Sequence, residues 1–184
     1  SASKIAADQL VNSYYLSYGV PAVTLRPFNT YGPRQSLRAI IPTIITQILN
    51  NSTRIRLGSL EPTRDFSYIS DTVSAFVAAL KNNKIIGETI NIGSGSEISI
   101  KKLTGLILKA ADKKILISSE ERRKRPKKSE VNRLFCSNKK ALKLLNWKPL
   151  YKNDKGMILG IKNTINWFSK KENLKKYKSN NFVL

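Results

Sequence analysis

The sequence predicts an α/β protein. Two observations carry this: apolar residues switch repeatedly between a strand-like and a helical period along the 184 residues, and clusters of Gly, Pro and Asn mark the changeovers.

Residues 1 to 18 read as the remainder of a longer helix, because Val11, Tyr14, Tyr15 and Tyr18 recur at helical spacing and the run stops at Gly19 and Pro21. Its opening, SASKIAADQL, has no positive leader, no long apolar run and no small-residue cleavage site, so it does not read as a targeting segment but as a cut edge. AVTLRPF alternates like a buried strand, and NTYGPRQ has the composition of a turn. AIIPTIITQILNN is predicted helical after Pro42. RIRLG and TRDFSYI read as strands, and Ser70 or Asp71 caps a helix with Val73, Phe76, Val77 and Leu80 on one face. GETINIGSG runs from a strand into a glycine turn. Ser99 caps a helix that buries Leu103, Leu106, Ile107 and Ala110, followed by the short strand KKILIS. Beyond the basic run RRKRPKK, Ser137 or Asn138 begins KKALKLLNW. A last helix from about Asp154 to Phe168 turns Met157, Ile158, Ile161, Ile165 and Phe168 inward. Residues 170 to 181, polar and rich in lysine, are expected to fray. The other half of such a sheet would lie before residue 1, so the chain by itself should expose an apolar sheet edge and helix face.

Hydrophobic residues make up 41% of the chain, enough to bury a core, and a single cysteine with no histidine excludes an intramolecular disulfide, a zinc site and a histidine-based triad. This fits a reducing cytoplasm. The most apolar stretch, AIIPTIITQIL, falls short of the ~20 residues that span a bilayer. A formal charge of +21 invites a nucleic-acid reading, yet the lysines are spread rather than gathered on one helix face, and no zinc-finger spacing or aromatic ribonucleoprotein motif accompanies them. A basic loop beside a small anionic ligand accounts better for residues 122 to 128. No metal, nucleic-acid or membrane partner is expected.

Singly, the chemical candidates are ordinary. Lys4 reads as a solvated helix lysine, GSG at 93 to 95 as a turn, and Arg64 as a partner for Asp65. Their order changes this: SASK, RPFNTYGPRQ, TRDFSYISD, INIGSG, then RP followed by SEV and LLNW. Together they resemble the second half of the extended short-chain dehydrogenase/reductase family that acts on nucleotide sugars, over residues 1 to about 168. RPFNTYGPRQSLRAIIPTIITQIL and RPKKSEVNRLFCSNKKALKLLNW look most like the 4,6-dehydratases that prepare N-acetylglucosamine nucleotides for legionaminic acid and related sugars. UDP-glucose 4-epimerases and UDP-glucuronate decarboxylases share much of the pattern, and a non-catalytic module that binds nucleotide sugar or a partner subunit is the alternative of another class.

The resemblance implies a Rossmann-type doubly wound parallel sheet, of which this is the C-terminal part, plus a smaller mixed α/β substrate domain. Residues 1–32 and 71–93 would belong to the NAD-binding core, 33–70 and 94–169 to the nucleotide-sugar domain, and 170–184 to a basic tail. It implies that Lys4 closes a Tyr-x-x-x-Lys pair whose tyrosine would immediately precede Ser1, the two side chains sharing a helix face. The lysine would lower the phenol's pKa and bind the nicotinamide ribose. Pro27 and Phe28 match the backbone that passes the nicotinamide of NAD. Asn29 matches a side chain at the diphosphate, and Arg64 and Arg125 the two arginines that clamp it. Ala39 and Ile40 border the nucleotide, Leu57 packs on the base, and Asn91 matches a nucleotide-site asparagine or serves as a turn cap. Many relatives have Gly and Asp after the RP, where this chain has Lys127, Lys128, Ser129 and Glu130. The implied reaction moves hydride from sugar C4 to NAD, eliminates water across C5 and C6, and returns the hydride to C6. The glycine-rich loop and the eliminating acid and base lie upstream in the family, so this chain alone is expected to be inactive and the full-length enzyme to be a homodimer.

Overall fold

The computed structural model describes residues 2–177, apart from the side chain of Lys127. The chain runs α1 (Ala2–Tyr18), β1 (Thr24–Pro27), β2 (Asn29–Tyr31), α2 (Ile40–Leu49), β3 (Arg54–Leu57), β4 (Thr63–Arg64), β5 (Phe66–Tyr68) and α3 (Ile69–Leu80). It continues with β6 (Thr89–Ile92), β7 (Ile98–Ser99), α4 (Ile100–Ala110), β8 (Leu116–Ser119), β9 (Arg133–Leu134), α5 (Lys139–Leu145), α6 (Asn153–Phe168) and α7 (Lys171–Leu174). β1 pairs with β6, β2 with β5 and β3 with β8, all in parallel and all across intervening helices, as parallel pairing requires. β4 lies between β7, antiparallel to it, and β9, parallel to it. This is the α/β architecture that the alternating periods predict.

Two apolar clusters hold these layers. The larger joins Ile41, Ile44 and Ile45 of α2 to Ile55 of β3, Leu103 and Ile107 of α4, and Ile161 and Phe168 of α6. Ala75, Ile90, Ile92, Leu145 and Trp147 form the smaller one between α3, β6 and α5. Each large side chain so buried contributes about 1.5–3 kcal/mol. Gly160 lets α6 lie against the tyrosines of β2 and β5: a Cβ there would stand 2.4 Å from the Tyr31 hydroxyl and 3.0 Å from the Tyr68 ring.

Ser99 caps α4 as expected, its Oγ accepting from the Lys102 N–H at 3.2 Å, and β3 alternates exposed and buried residues as RIRLG does. Other local expectations are corrected. α2 begins at Ile40, before Pro42, because an N–H in the first turn has no intrahelical acceptor to lose. NTY is strand β2 rather than turn. TRDFSYI is divided at Asp65 into β4 and β5, which belong to different sheets. Neither Ser70 nor Asp71 caps α3, whose N-cap is Tyr68. Asp71 instead turns inward, its carboxylate accepting from the N–H groups of Leu150 at 3.0 Å and Tyr151 at 2.9 Å.

Val73, Phe76, Val77 and Leu80 do share a face of α3, but it is the exposed one, while Asp71, Thr72 and Ala75 are buried. α1 buries none of its residues, and Leu10, Val11, Tyr14, Leu16 and Tyr18 are all exposed. The expectation of open apolar helix faces is met by these two helices. Residues 170–177 do not fray: α7 forms, Asn173 is buried, and Tyr177 lies 4.9 Å from the Phe168 ring. Residues 178–181 of the expected frayed segment lie outside the described residues.

Candidate functional site

Half of the sequence-predicted residues lie at the carboxyl ends of strands, and the site is built around two places, the end of the β1–β6 pair and β4. At the first, β1 ends at exposed Pro27 opposite Ile92 of β6, and the N–H of half-buried Phe28 donates to the Ile92 carbonyl at 2.8 Å. Asn91 is the preceding residue of β6, paired with Arg26 and half-buried. Arg26 Nε donates to Asp8 Oδ2 of α1 at 2.7 Å, and the Tyr15 ring lies over Gly87, where a Cβ would come within 2.4 Å of it. These contacts fix the helix against the strand pair. Lys4 lies one turn before Asp8 on the same face, about 6 Å further along the axis at 1.5 Å per residue. Because α1 returns into β1 through residues 19–23, that direction leads past the strand's carboxyl end. The Lys4 ammonium is exposed and in no ion pair among the described residues.

The second place lies around β4. Asn29 Nδ2 donates to the Asp65 carbonyl at 2.8 Å, joining β2 to the residue after Arg64. Arg64 does not pair with Asp65. Its Nη2 donates to Glu130 Oε1 at 2.9 Å, and Nη1 to the carbonyls of Thr63 and Val131. The Asp65 carboxylate, wholly buried, accepts from Ser94 N at 2.8 Å, Ser94 Oγ at 2.7 Å and Gly95 N at 3.0 Å, and so anchors the NIGSG turn. Burial raises its pKa above the usual carboxylate value, against the lowering effect of those donors. Cys136 sits beside it, its thiol pushed up to about 12 by burial first and by Asp65 second.

The basic loop connects the same region to β3. Leu57 has a buried side chain in the main core, so the strand end it occupies, not its side chain, borders the loop: its carbonyl accepts from Glu120 N at 2.8 Å. A Cβ on Gly58 would stand 2.4 Å from the Arg123 carbonyl, so only glycine admits the loop this closely. Glu120 accepts from Arg123 Nε at 2.9 Å and Arg122 Nε at 3.0 Å, which hold its carboxyl below the usual carboxylate range, and Lys124 pairs with Glu121. Arg125 is exposed and in none of the ion pairs among the described residues. Half-buried Ala39 and Ile40 begin α2; the Ala39 carbonyl accepts from Thr43 N and Oγ1.

Asp65, Glu120 and Glu130 are the residues that sequence reasoning missed as parts of this site. Glu130 had one available signal: it is the sole acid within residues 122–131. A separate cleft of 490 Å³ lies between Phe66, Ser96, Tyr151 and Asp154 and contains none of the predicted residues. No group of three metal-ligating side chains occurs among the described residues, and no helix there is long and apolar enough to cross a membrane.

The strand pairing defines the class of α/β protein with parallel strands, in which ligands commonly bind beyond the carboxyl ends of the strands; here Arg64 ends β4, Arg125 lies on the loop after β8 and Lys4 lies on α1. The family described as GDP-mannose 4,6 dehydratase matches residues 1–158. YtcB of Bacillus subtilis, named as an uncharacterized UDP-glucose epimerase, is 32% identical over 147 residues, 80% of this chain and 45% of the relative. The dTDP-D-glucose 4,6-dehydratase of Dictyostelium discoideum is 44% identical over 99 residues, 54% of this chain and 23% of the relative. Among solved structures, UDP-glucuronic acid 4-epimerase from Bacillus cereus, in complex with UDP-glucuronic acid and NAD, superposes with a TM-score of 0.81 at 29% identity, covering 92% of this chain and 52% of that one. The dTDP-glucose 4,6-dehydratase of Bacillus anthracis, in complex with NAD, gives 0.78 at 26% identity, with coverages of 93% and 52%. The chain belongs to the GDP-mannose 4,6-dehydratase family of NAD-dependent nucleotide-sugar epimerases and dehydratases, with the Rossmann-type fold of that family. It spans about half or less of the length of these relatives.

Proposed function

We propose that the chain forms the nucleotide-sugar-binding part, and supplies the catalytic lysine, of a cytoplasmic NAD-dependent nucleotide-sugar 4,6-dehydratase. The enzyme would take an NDP-hexose or NDP-N-acetylhexosamine to its 4-keto-6-deoxy product for surface glycans of the legionaminic acid type. The reading is supported above all by one observation: the loop at 120–131 leaves β8 beside the end of β3, carries Arg125, which is in no ion pair among the described residues, and reaches Arg64 through Glu130. Two guanidinium groups, one carried by the loop and one tied to its exit, suit a diphosphate, whose oxygens accept their N–H groups in pairs. Asn29 is held beside them, and Ala39, Ile40, the Leu57 strand end and Asn91 border the nucleotide.

Lys4 with Pro27 and Phe28 fits the nicotinamide end of the dinucleotide: an exposed ammonium, in no ion pair among the described residues, on the helix that packs along a partly exposed apolar strand end. NAD, when bound, supplies the hydride acceptor for sugar C4. Lys4 would donate to ribose oxygens and, by its charge, favour the phenolate of a tyrosine one turn earlier on its helix. The two lobes follow the division 1–32 with 71–93, and 33–70 with 94–169. The exposed aromatic face of α1 suits pairing of two copies in the whole enzyme, and no nucleic-acid or membrane partner is needed.

A C4 epimerisation is the second reading, favoured by the names of YtcB and the Bacillus cereus structure. Product analysis by nuclear magnetic resonance, after incubating the native enzyme with NAD and a panel of UDP- and dTDP-hexoses, tests both. A 4-keto-6-deoxy sugar is expected. A C4 epimer moves the protein to the second reading, and nucleotide-sugar binding without turnover would make it a non-catalytic module.

A further inference from the structure

Arg64 is only 15% exposed at its side chain, and three of its five N–H bonds are already committed within the chain. Nη1 donates to Thr63 of its own strand at 2.8 Å and to Val131, while Nη2 donates to Glu130 Oε1 at 2.9 Å. Glu130 is itself 17% exposed and lies 66 residues away, at the exit of the basic loop. Among the described residues, it pairs with this one arginine and not with Arg125 or Lys128 beside it. The other two acids of the loop are engaged elsewhere, Glu120 with Arg56, Arg122 and Arg123 and Glu121 with Lys124. The Nε–H and one Nη2–H of Arg64 remain, and the guanidinium that bears them has lost its rotational freedom before any ligand arrives. A preorganised fork gives up less entropy on binding than a free one.

We propose, resting on the nucleotide-sugar reading above, that Glu130 is a positioning residue. It holds the Arg64 guanidinium so that its two remaining N–H groups meet the phosphates of a nucleoside diphosphate. The carboxylate acts through Arg64 and makes no contact of its own with the ligand. Its negative charge works against an incoming phosphate, so the acceptor oxygen, not the charge, is what matters. A neutral isostere that keeps the oxygen should serve as well or better.

The test is calorimetric titration of the native protein with UDP, dTDP and GDP, carrying forward the tightest of the three. Glu130→Ala should weaken binding roughly three- to tenfold, and Glu130→Gln should bind within about twofold of wild type or more tightly. In an Arg64→Ala background, Glu130→Ala should cost less than about twofold, because the two residues act as one unit. Should the alanine variant fail to fold, Glu130→Asp, a methylene too short to reach Nη2, replaces it with the same expectations. Full affinity in Glu130→Ala overturns the proposal, and so does a penalty that persists undiminished without Arg64, which would place Glu130 on the nucleotide itself. Wild-type affinity in Arg64→Ala alone, or no binding of any nucleotide by wild type, would remove the underlying site reading and this inference with it.

Discussion

Replacing Asp65 by Ala should be the most damaging single truncation near the site. The carboxylate is wholly buried and takes donors from Ser94 N, Ser94 Oγ and Gly95 N within 3.0 Å. Without it the Ser94 hydroxyl can turn to Ser96, whose Oγ lies 2.9 Å away, but the two closely bound backbone N–H groups, of Ser94 and Gly95, lose their acceptor, as does the more distant Cys136 N–H at 3.4 Å. A buried unsatisfied donor costs about 1–3 kcal/mol, so two predict a loss of about 2–6 kcal/mol. Asp65→Asn keeps one acceptor oxygen and should lose less. Urea unfolding followed by tryptophan fluorescence reads both, since Trp147 and Trp167 are packed in the two apolar clusters. The pH dependence has a definite sign. Burial raises the folded-state pKa of Asp65, so its contribution is fully present below the unfolded pKa and is lost as pH rises through the folded one. Wild type should therefore gain on Asp65→Asn as pH falls from neutral towards about 4. A loss under about 1 kcal/mol for Asp65→Ala, or a wild-type advantage that grows with rising pH, would rule out this role for the Asp65 carboxylate.

Other expectations concern the same neighbourhood. Gly93→Ala would bring a Cβ within 2.3 Å of Cys136 Cβ, and should destabilise by about 1–3 kcal/mol in the same urea assay. Cys136, buried and with its thiol raised to about 12, should not react with an aromatic disulfide reagent at pH 8 in the native protein and should react at once in denaturant. If Lys4 has the proposed role beside a catalytic phenol, Lys4→Met in the native protein should slow hydride transfer and move the pH–rate profile to higher pH, because that phenol would lose a cation. Stopped-flow measurement of NADH absorbance across pH checks this, and an unchanged profile would make Lys4 a bystander.

Local chemistry was legible where one residue decides it. The Ser99 cap, the alternation in RIRLG and the inward face of α6 could be read directly, because each depends on neighbours in sequence. α3 shows the limit. Periodicity identifies which residues share a face but not which face is buried, and here the buried side is held by hydrogen bonds that Asp71 accepts from the Leu150 and Tyr151 N–H groups, 79 and 80 residues away. The division of TRDFSYI has the same origin, since Asp65 leaves the strand line to meet the NIGSG turn. Tyr177 shows it again: a polar, lysine-rich composition predicts fraying, yet one aromatic ring docks on Phe168. In the site, the motif residues could be named individually, whereas the Arg64–Glu130 pair joins positions 66 apart and has no local signature beyond a lone acid in a basic run.

If Arg64 and Arg125 clamp a nucleoside diphosphate, Arg125→Ala is the sharpest probe of the clamp, because that exposed side chain is in no ion pair among the described residues. Calorimetric titration of the native protein with UDP, dTDP and GDP should show one of them bound, and Arg125→Ala weakening it by about 1.5–3 kcal/mol, roughly 10- to 150-fold, with unfolding unchanged. Arg125→Ala binding as tightly as wild type, or none of the three nucleotides binding at all, would contradict the account.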